Sequence, residues 1–284
     1  MPKRQESFWV VWRRIRKNKM AALGAFIVVA IVVIGILAPF ISPYDPNAQD
    51  LYSSLEGPSL KHPFGVDLYG RDILSRVIWG ARISLSISFT AVLISGILGI
   101  MLGAIAGYFE GIVDEIIMRA FDMLLSFPDI LLAIAIVAIL GPGKMNLILA
   151  LTIYSLPQFA RITRGSVISE KNNEYVDAAR LVGENNINIL FRYILPNCIS
   201  PIIVQGTMRM ATAILVISGL GFLGLGIQPP TPEWGTDLSV ARTYLRVAPH
   251  MGIFPGLAIF ITVMGFNFFG DGLNDALNPR LKDR

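Results

Sequence analysis

The residues able to do chemistry are few. His62, His250 and Cys198 are the only imidazole and thiol groups in 284 residues. No His-Glu-x-x-His pair is present to hold zinc, and no Gly-x-Ser-x-Gly elbow to expose a nucleophilic serine. The nearest match to a phosphate-binding loop is Gly141-Pro142-Gly143-Lys144. It lacks the earlier glycine spacing and runs into Met145, so it reads as a turn. The chain is therefore not expected to bind or hydrolyse ATP, to carry a catalytic residue or to hold a cofactor or metal. Both histidines read as loop or interfacial residues, and Cys198, between Pro196 and Pro201, as a small packing residue. What remains is a patterned polar stretch, Asn172–Asn197, and three charges in otherwise apolar sequence: Asp122, Asp129 and Arg209.

Those three charges are costly next to lipid and should face protein or water. Asp122 and Asp129 lie seven residues apart, about two helical turns, which puts them on one face of a continuous helix. Arg209 has two readings. It meets a carboxylate in a substrate pathway, or it neutralises a structural aspartate.

The elements that must position these residues are membrane spans. Hydrophobic residues make up 54% of the chain and charged residues 15%, with a mean hydropathy of +0.60. Soluble domains carry roughly 25% charged residues. Runs free of Asp, Glu, Lys and Arg occur at 20–44, 83–109, 145–160, 210–232 and 247–270. A weaker candidate, 117–140, contains Arg119, Asp122 and Asp129. At about 20 apolar residues per span, the chain reads as all-α and integral to the membrane, with six transmembrane helices. Seven Lys and Arg residues precede Met20, which places the N-terminus in the cytoplasm, and six spans return the C-terminus there. The basic N-terminus reads as topology and contact with anionic lipid, not as a nucleic-acid tail. The first apolar run is too long for a signal-peptide core and lacks a cleavage pattern, so it reads as an uncleaved anchor. The resulting map is a basic N-terminus over 1–19, a first span over 20–44 and an external loop over 45–82. A five-helix core over 83–275 and a cytoplasmic tail over 276–284 complete it.

Within the core, Asn172–Asn197 is too polar to span. Tyr175, Ala178, Ala179 and Val182 recur at helical spacing, Gly183 interrupts, and Ile187, Ile189, Leu190, Ile194 and Leu195 resume an apolar face. Two short helices joined by a turn are expected, lying across the inner membrane surface. From the residues alone this is either an amphipathic interfacial segment or a docking element that offers the small Ala178 and Ala179 to a partner.

The stretch resembles the EAA loop of ABC importer permeases, whose pattern is Glu-Ala-Ala, three residues, Gly, nine residues, then Ile-x-Leu-Pro. Here it is carried by Asp177, Ala178, Ala179, Gly183, Leu195 and Pro196, with Asp177 for Glu and Tyr193 for Ile. Three other stretches narrow the resemblance to the peptide- and nickel-type permeases. They are Phe64–Arg76 with its Gly-Arg-Asp, Gly221–Gly235 with its Pro-Pro-x-Pro-x-Trp-Gly, and Phe266–Leu281 with its Gly-Asp-x-Leu. With the long N-terminal extension, the chain is similar to the C-type subunit of dipeptide and oligopeptide importers. The resemblance implies a type I ABC importer permease fold in a prokaryotic cell membrane. It also implies a second, homologous permease, two ATPase subunits that hold the ATP and Mg, and an external substrate-binding protein. The implied cargo is dipeptides or oligopeptides, with nickel chelates or glutathione as the alternative. A stand-alone secondary transporter or channel is the rival of a different class, and the coupling loop has no evident purpose under it.

Trp234, Pro230 and Pro232 form a rigid, partly apolar segment that either meets the binding protein or packs against neighbouring spans. Gly96, Gly99, Gly103 and Gly107 form a ladder at three- and four-residue spacing, as a close-packing face or a flexible gate.

Overall fold

The structure is a computed structural model that describes residues 8–277. The start of the basic N-terminus and the tail from Asn278, with the end of the last motif, lie outside the described residues. Those described form helices and loops, with one isolated antiparallel bridge, Val66 to Asp72.

Two helices open the chain, α1 (Phe8–Lys17) and α2 (Lys19–Ile41). The Asn18 side chain caps α2 by accepting from the Met20 and Ala21 amides, as short polar side chains do at helix starts. No charge follows Lys19 in α2, and Phe26, Ile36 and Phe40 are exposed along it. An outward apolar surface of that length suits lipid and not water. After the loop comes α3 (Ile73–Phe109), capped by Asp72, whose carboxylate accepts from the Ser75 amide. The helix thus begins ten residues before the uncharged run at Ile83, so the expected external loop over 45–82 ends at Asp72. The charged residues Arg76 and Arg82 hid that start, because both fall on the helix itself.

Next come α4 (Gly111–Leu125) and α5 (Asp129–Leu140), bent by 88° at Ser126-Phe127-Pro128. This corrects the expectation of one helix over 117–140. Pro128 disfavours the helical conformation of the residue before it. Asp122 and Asp129 are therefore on separate helices and share no face.

The remainder is α6 (Lys144–Lys171), α7 (Glu174–Leu181), α8 (Asn186–Asn188), α9 (Ile199–Phe222), α10 (Trp234–Ala241) and α11 (His250–Leu277). A π-helical turn (Ile189–Ile194) and a 3-10 turn (Leu195–Cys198) join α8 to α9 without a break, so the run from Asn186 to Phe222 is one rod. By length and composition α2, α3, that rod and α11 can each cross a membrane, and the bent pair α4–α5 makes up to five. α6 is 28 residues long, but Pro157, Gln158 and Arg161 dilute its apolar part.

The core is a helix bundle whose tightest seam joins α3 to α6. A side chain added at Gly99 would meet the Phe159 Cβ at 2.6 Å, and one at Gly107 the Arg164 carbonyl oxygen at 2.8 Å. At Gly103 it would run into the Ala160 carbonyl oxygen. The glycine ladder is thus a packing face at these three positions. Gly24, Gly265 and Gly272 do the same between α2 and α11.

Candidate functional site

Three places gather the residues singled out by sequence. The first is the end of the bundle that carries α7. Helix α7 ends in a Schellman turn: the Glu184 amide donates to the Ala179 carbonyl, and the Gly183 amide to Arg180. Gly183 takes φ +88°, which a residue with a Cβ rarely adopts. Two short helices joined by a turn are present as expected, although the second runs on into α9. Asp177 and Ala178 face outward, and Asp177 pairs with Arg180 at 3.0 Å. Ala179 is buried against the protein's own core, so only one of the two alanines is open to a partner. Leu181 is 89% exposed and Val182 84%, with Ile187 and Phe191 exposed beyond the turn. Leu195 and Pro196 are half-buried in the 3-10 turn beneath.

This end is tied to three long helices. The Tyr175 hydroxyl donates to Glu170 of α6 and accepts from Asn197, which precedes α9. Burial first, then the bond to Glu170, pushes the Tyr175 phenol up to about 12, so it remains a donor. The Tyr108 hydroxyl of α3 donates to Asn186 at 2.8 Å, and Lys171 donates to the Tyr108 carbonyl. Sequence reading missed Tyr108 and Glu170. Nothing in their local spacing marks them, since their partners are 78 residues away in one case and on another helix in the other.

The second place is the α4–α5 break. Asp122 pairs with Arg161 of α6 at 2.7 Å in an exposed position. Asp129 opens α5, and its nearest cation is Arg209 of α9, with Asp129 Oδ2 3.8 Å from Nη1. Gln158 of α6 reaches the same carboxylate oxygen at 3.5 Å. The fold thus joins Asp129 with Arg209 and gives Asp122 a different partner.

The third place is the opposite end, carrying α10. Arg76 donates to the Asp237 carboxylate and to the carbonyls of Pro46 and Pro230, stapling three segments. Asp67 accepts from the Tyr69 and Arg71 amides and pairs with the Arg71 side chain at 2.6 Å. Glu233 caps α10 through the Gly235 and Thr236 amides and accepts from Ser84 of α3. Burial lifts the Glu233 carboxyl above its ordinary value, against the pull of those backbone bonds. Trp234 is 1% exposed, lies against Gly80 and donates Nε1–H to the Val77 carbonyl at 2.9 Å. The expectation of Trp234 as a surface contact is corrected: its ring fills the space that Gly80 leaves. Pro232 is buried with it, while Pro230 is exposed.

A groove of about 820 Å³ runs between α2, α3, α9 and α11, lined by Val32, Phe89, Leu93, Ile203 and Phe266 among others. Among the described residues no cluster of three or more His, Cys, Asp and Glu groups could hold a metal ion.

Residues 99–283 match the family described as binding-protein-dependent transport system inner membrane component. The chain belongs to that family. Residues 7–58 also match the N-terminal TM domain of oligopeptide transport permease C. The glutathione transport system permease protein GsiD of Escherichia coli O6:K15:H31 is 50% identical over 272 residues, covering 95% of this chain and 90% of that protein. GsiD of Shigella boydii serotype 4 shows the same figures. A chain of the MetNI methionine ABC transporter, solved in inward-facing conformations, superposes with a TM-score of 0.59 at 17% identity. It covers 72% of this chain and 98% of that one. The all-helical fold is therefore the type I ABC permease fold, and this family member is a membrane-embedded transport component and not an enzyme.

Proposed function

We propose that this chain is one permease subunit of an ATP-driven importer of small peptides, glutathione included. In this reading it crosses the membrane six times: α2, α3, the bent pair α4–α5, α6, the rod ending in α9, and α11. The α7 end and both termini lie in the cytoplasm, and the α10 end faces outward. A homologous second permease completes the pathway. Two ATPase subunits hold ATP and Mg, and a binding protein delivers the cargo from outside.

The observation that carries this reading is the α7 end. Leu181, Val182, Ile187 and Phe191 leave an apolar surface open there, flanked by Asp177 and Arg180. Hydrogen bonds tie the same surface to α3, α6 and the start of α9. A knob with those ties can convert a partner's movement into movement of the spans. Of Trp234, Pro230 and Pro232, Pro230 is the one exposed enough to touch the binding protein. Peptide cargo is supported by the GsiD relatives.

The test is to tag the chain, express it with its native gene neighbours, purify it in mild detergent and identify what accompanies it. A second permease and ATPase subunits, with ATP-dependent peptide uptake after reconstitution, support the reading. A chain recovered alone that transports in liposomes without ATP refutes it.

A further inference from the structure

Arg209 is held more loosely than Arg71, Arg119 and Arg161 are in their ion pairs. Arg71–Asp67, Arg161–Asp122 and Arg119–Glu115 close to 2.6, 2.7 and 2.6 Å, and Arg164 grips both oxygens of Asp114. Arg209 stands 3.8 Å from Asp129 and makes no hydrogen bond to it. Its Nε and Nη1 are buried and have no hydrogen-bond partner, although its side chain is only 15% exposed. A guanidinium kept purely for structure inside a membrane protein is expected to be closed by a fork of bonds. This one is left open.

Its depth is set by three independent rulers. Helix α5 has 12 residues, so Asp129 lies roughly 18 Å from the α10-side end of its helix. Gln158 is roughly 21 Å along α6 from Lys144, and Arg209 roughly 20 Å along α9 from Phe222. All three groups therefore meet well inside a core about 30 Å thick. The chain breaks at this same level. The N-cap position of α5 is Pro128, which supplies no side-chain cap to the first amides of this half-length helix. Phe127 and Ile130 are exposed beside Asp129, which is itself 47% exposed, so the cluster opens to one side of the chain.

We propose that Arg209 reads a carboxylate of the cargo inside the pathway, and that Asp129 is the competing carboxylate it exchanges for the cargo. A loose internal partner keeps the arginine from being stranded between transport cycles, and it is weak enough to be displaced. Gln158 can receive the released Asp129 or donate to the cargo. The ligand class is a peptide with a free carboxylate. The inference rests on the importer reading given above.

The experiment uses the whole complex in liposomes, at saturating concentrations of cargo-loaded binding protein, so that external selection does not enter. Uptake is compared for one dipeptide with a free C-terminal carboxylate and for its C-terminal amide. Wild type should favour the carboxylate. Arg209→Gln should lower carboxylate uptake about tenfold, the loss expected from about 1.4 kcal/mol of charge-assisted bonding, and leave the amide nearly unchanged. Equal losses for both cargoes, or none, overturn the proposal. Where Arg209→Gln fails to assemble, Asp129→Asn decides: with the competitor neutralised, the preference for carboxylate should rise, and an unchanged ratio overturns the proposal. A wild-type complex that imports no peptide with ATP refutes the importer reading and the site with it. Intact import with an unaltered ratio in the variants refutes the site alone.

Discussion

Gly183 isolates the backbone geometry of the α7 turn from every other effect. A Cβ placed there meets nothing within 4 Å, so Ala introduces no clash within the chain. The whole cost comes from φ +88°. For an L-residue in left-handed conformations that cost is roughly 1–2 kcal/mol, which lowers the ratio of native turn to relaxed turn by about 5–30-fold. Gly183→Ala should carry this cost, Gly183→Val more because its branched Cβ is poorly tolerated there, and Gly183→Asn less because Asn enters this region readily. The assay measures peptide uptake and ATP hydrolysis in proteoliposomes, with the amount of assembled complex measured alongside. The expected order of uptake per ATP hydrolysed is Gly, Asn, Ala, Val at equal complex levels. Wild-type coupling in Gly183→Val refutes the reasoning that the backbone geometry of this turn serves the proposed coupling. A loss of uptake that only tracks a loss of complex refutes it as well.

Packing and burial set the outcome of substitution at four other residues. Gly103→Val drives a side chain into the Ala160 carbonyl and should destabilise by about 1–3 kcal/mol, seen as a lower melting temperature in detergent. Gly96→Ala, whose Cβ would sit 3.7 Å from Phe159, should be close to neutral in the same measurement. Trp234→Ala should cost about 3–5 kcal/mol through the cavity, whereas Trp234→Phe should lose about 1 kcal/mol with the bond to Val77. Both should register as stability, with no selective loss of binding-protein affinity. Glu233 holds its proton more tightly folded than unfolded, because burial raises its carboxyl. That contribution is full below the ordinary carboxylate value and fades as pH rises through the raised one, so Glu233→Gln should flatten the decline of melting temperature with pH over that window.

The amphipathic stretch, the interrupting glycine and the ladder were legible in the sequence because each is local: a period of 3.6, a single φ, a small residue at each successive turn. The helix start at Ile73 was not. The charges on its early turns mimic loop composition, and the partner that allows Arg76 to be buried, Asp237, is distant in sequence. The break at Pro128 could have been read from the proline. It was overridden by the apolar run after it, and that error carried Asp122 and Asp129 onto one face. Trp234 illustrates a different limit. A rigid, proline-rich loop with an aromatic looks the same in sequence whether the ring points out or in, and the deciding residue, Gly80, lies in α3.

The turn after α7 leads directly into the helical element that carries Arg209. From Asn186 the helical rod runs without interruption to Phe222, so Arg209 sits about 35 Å along the rod whose first turn is held by Tyr108. Helix α3 is locked to α6 by the glycine seam, and Glu170 ties α6 to α7. A pull on the Gly183 turn is therefore shared by α3, α6 and the rod. Helix α5 packs on α6 but touches α9, and so the rod, only sparingly. The Asp129–Arg209 contact bridges this sparse joint between α5 and the rod. A 3.8 Å ion pair without hydrogen bonds can lengthen at such a joint at little cost. A bidentate pair such as Arg164–Asp114 would resist. On the proposed reading, the looseness of this one contact lets nucleotide-driven movement at the α7 end change what Arg209 is free to bind.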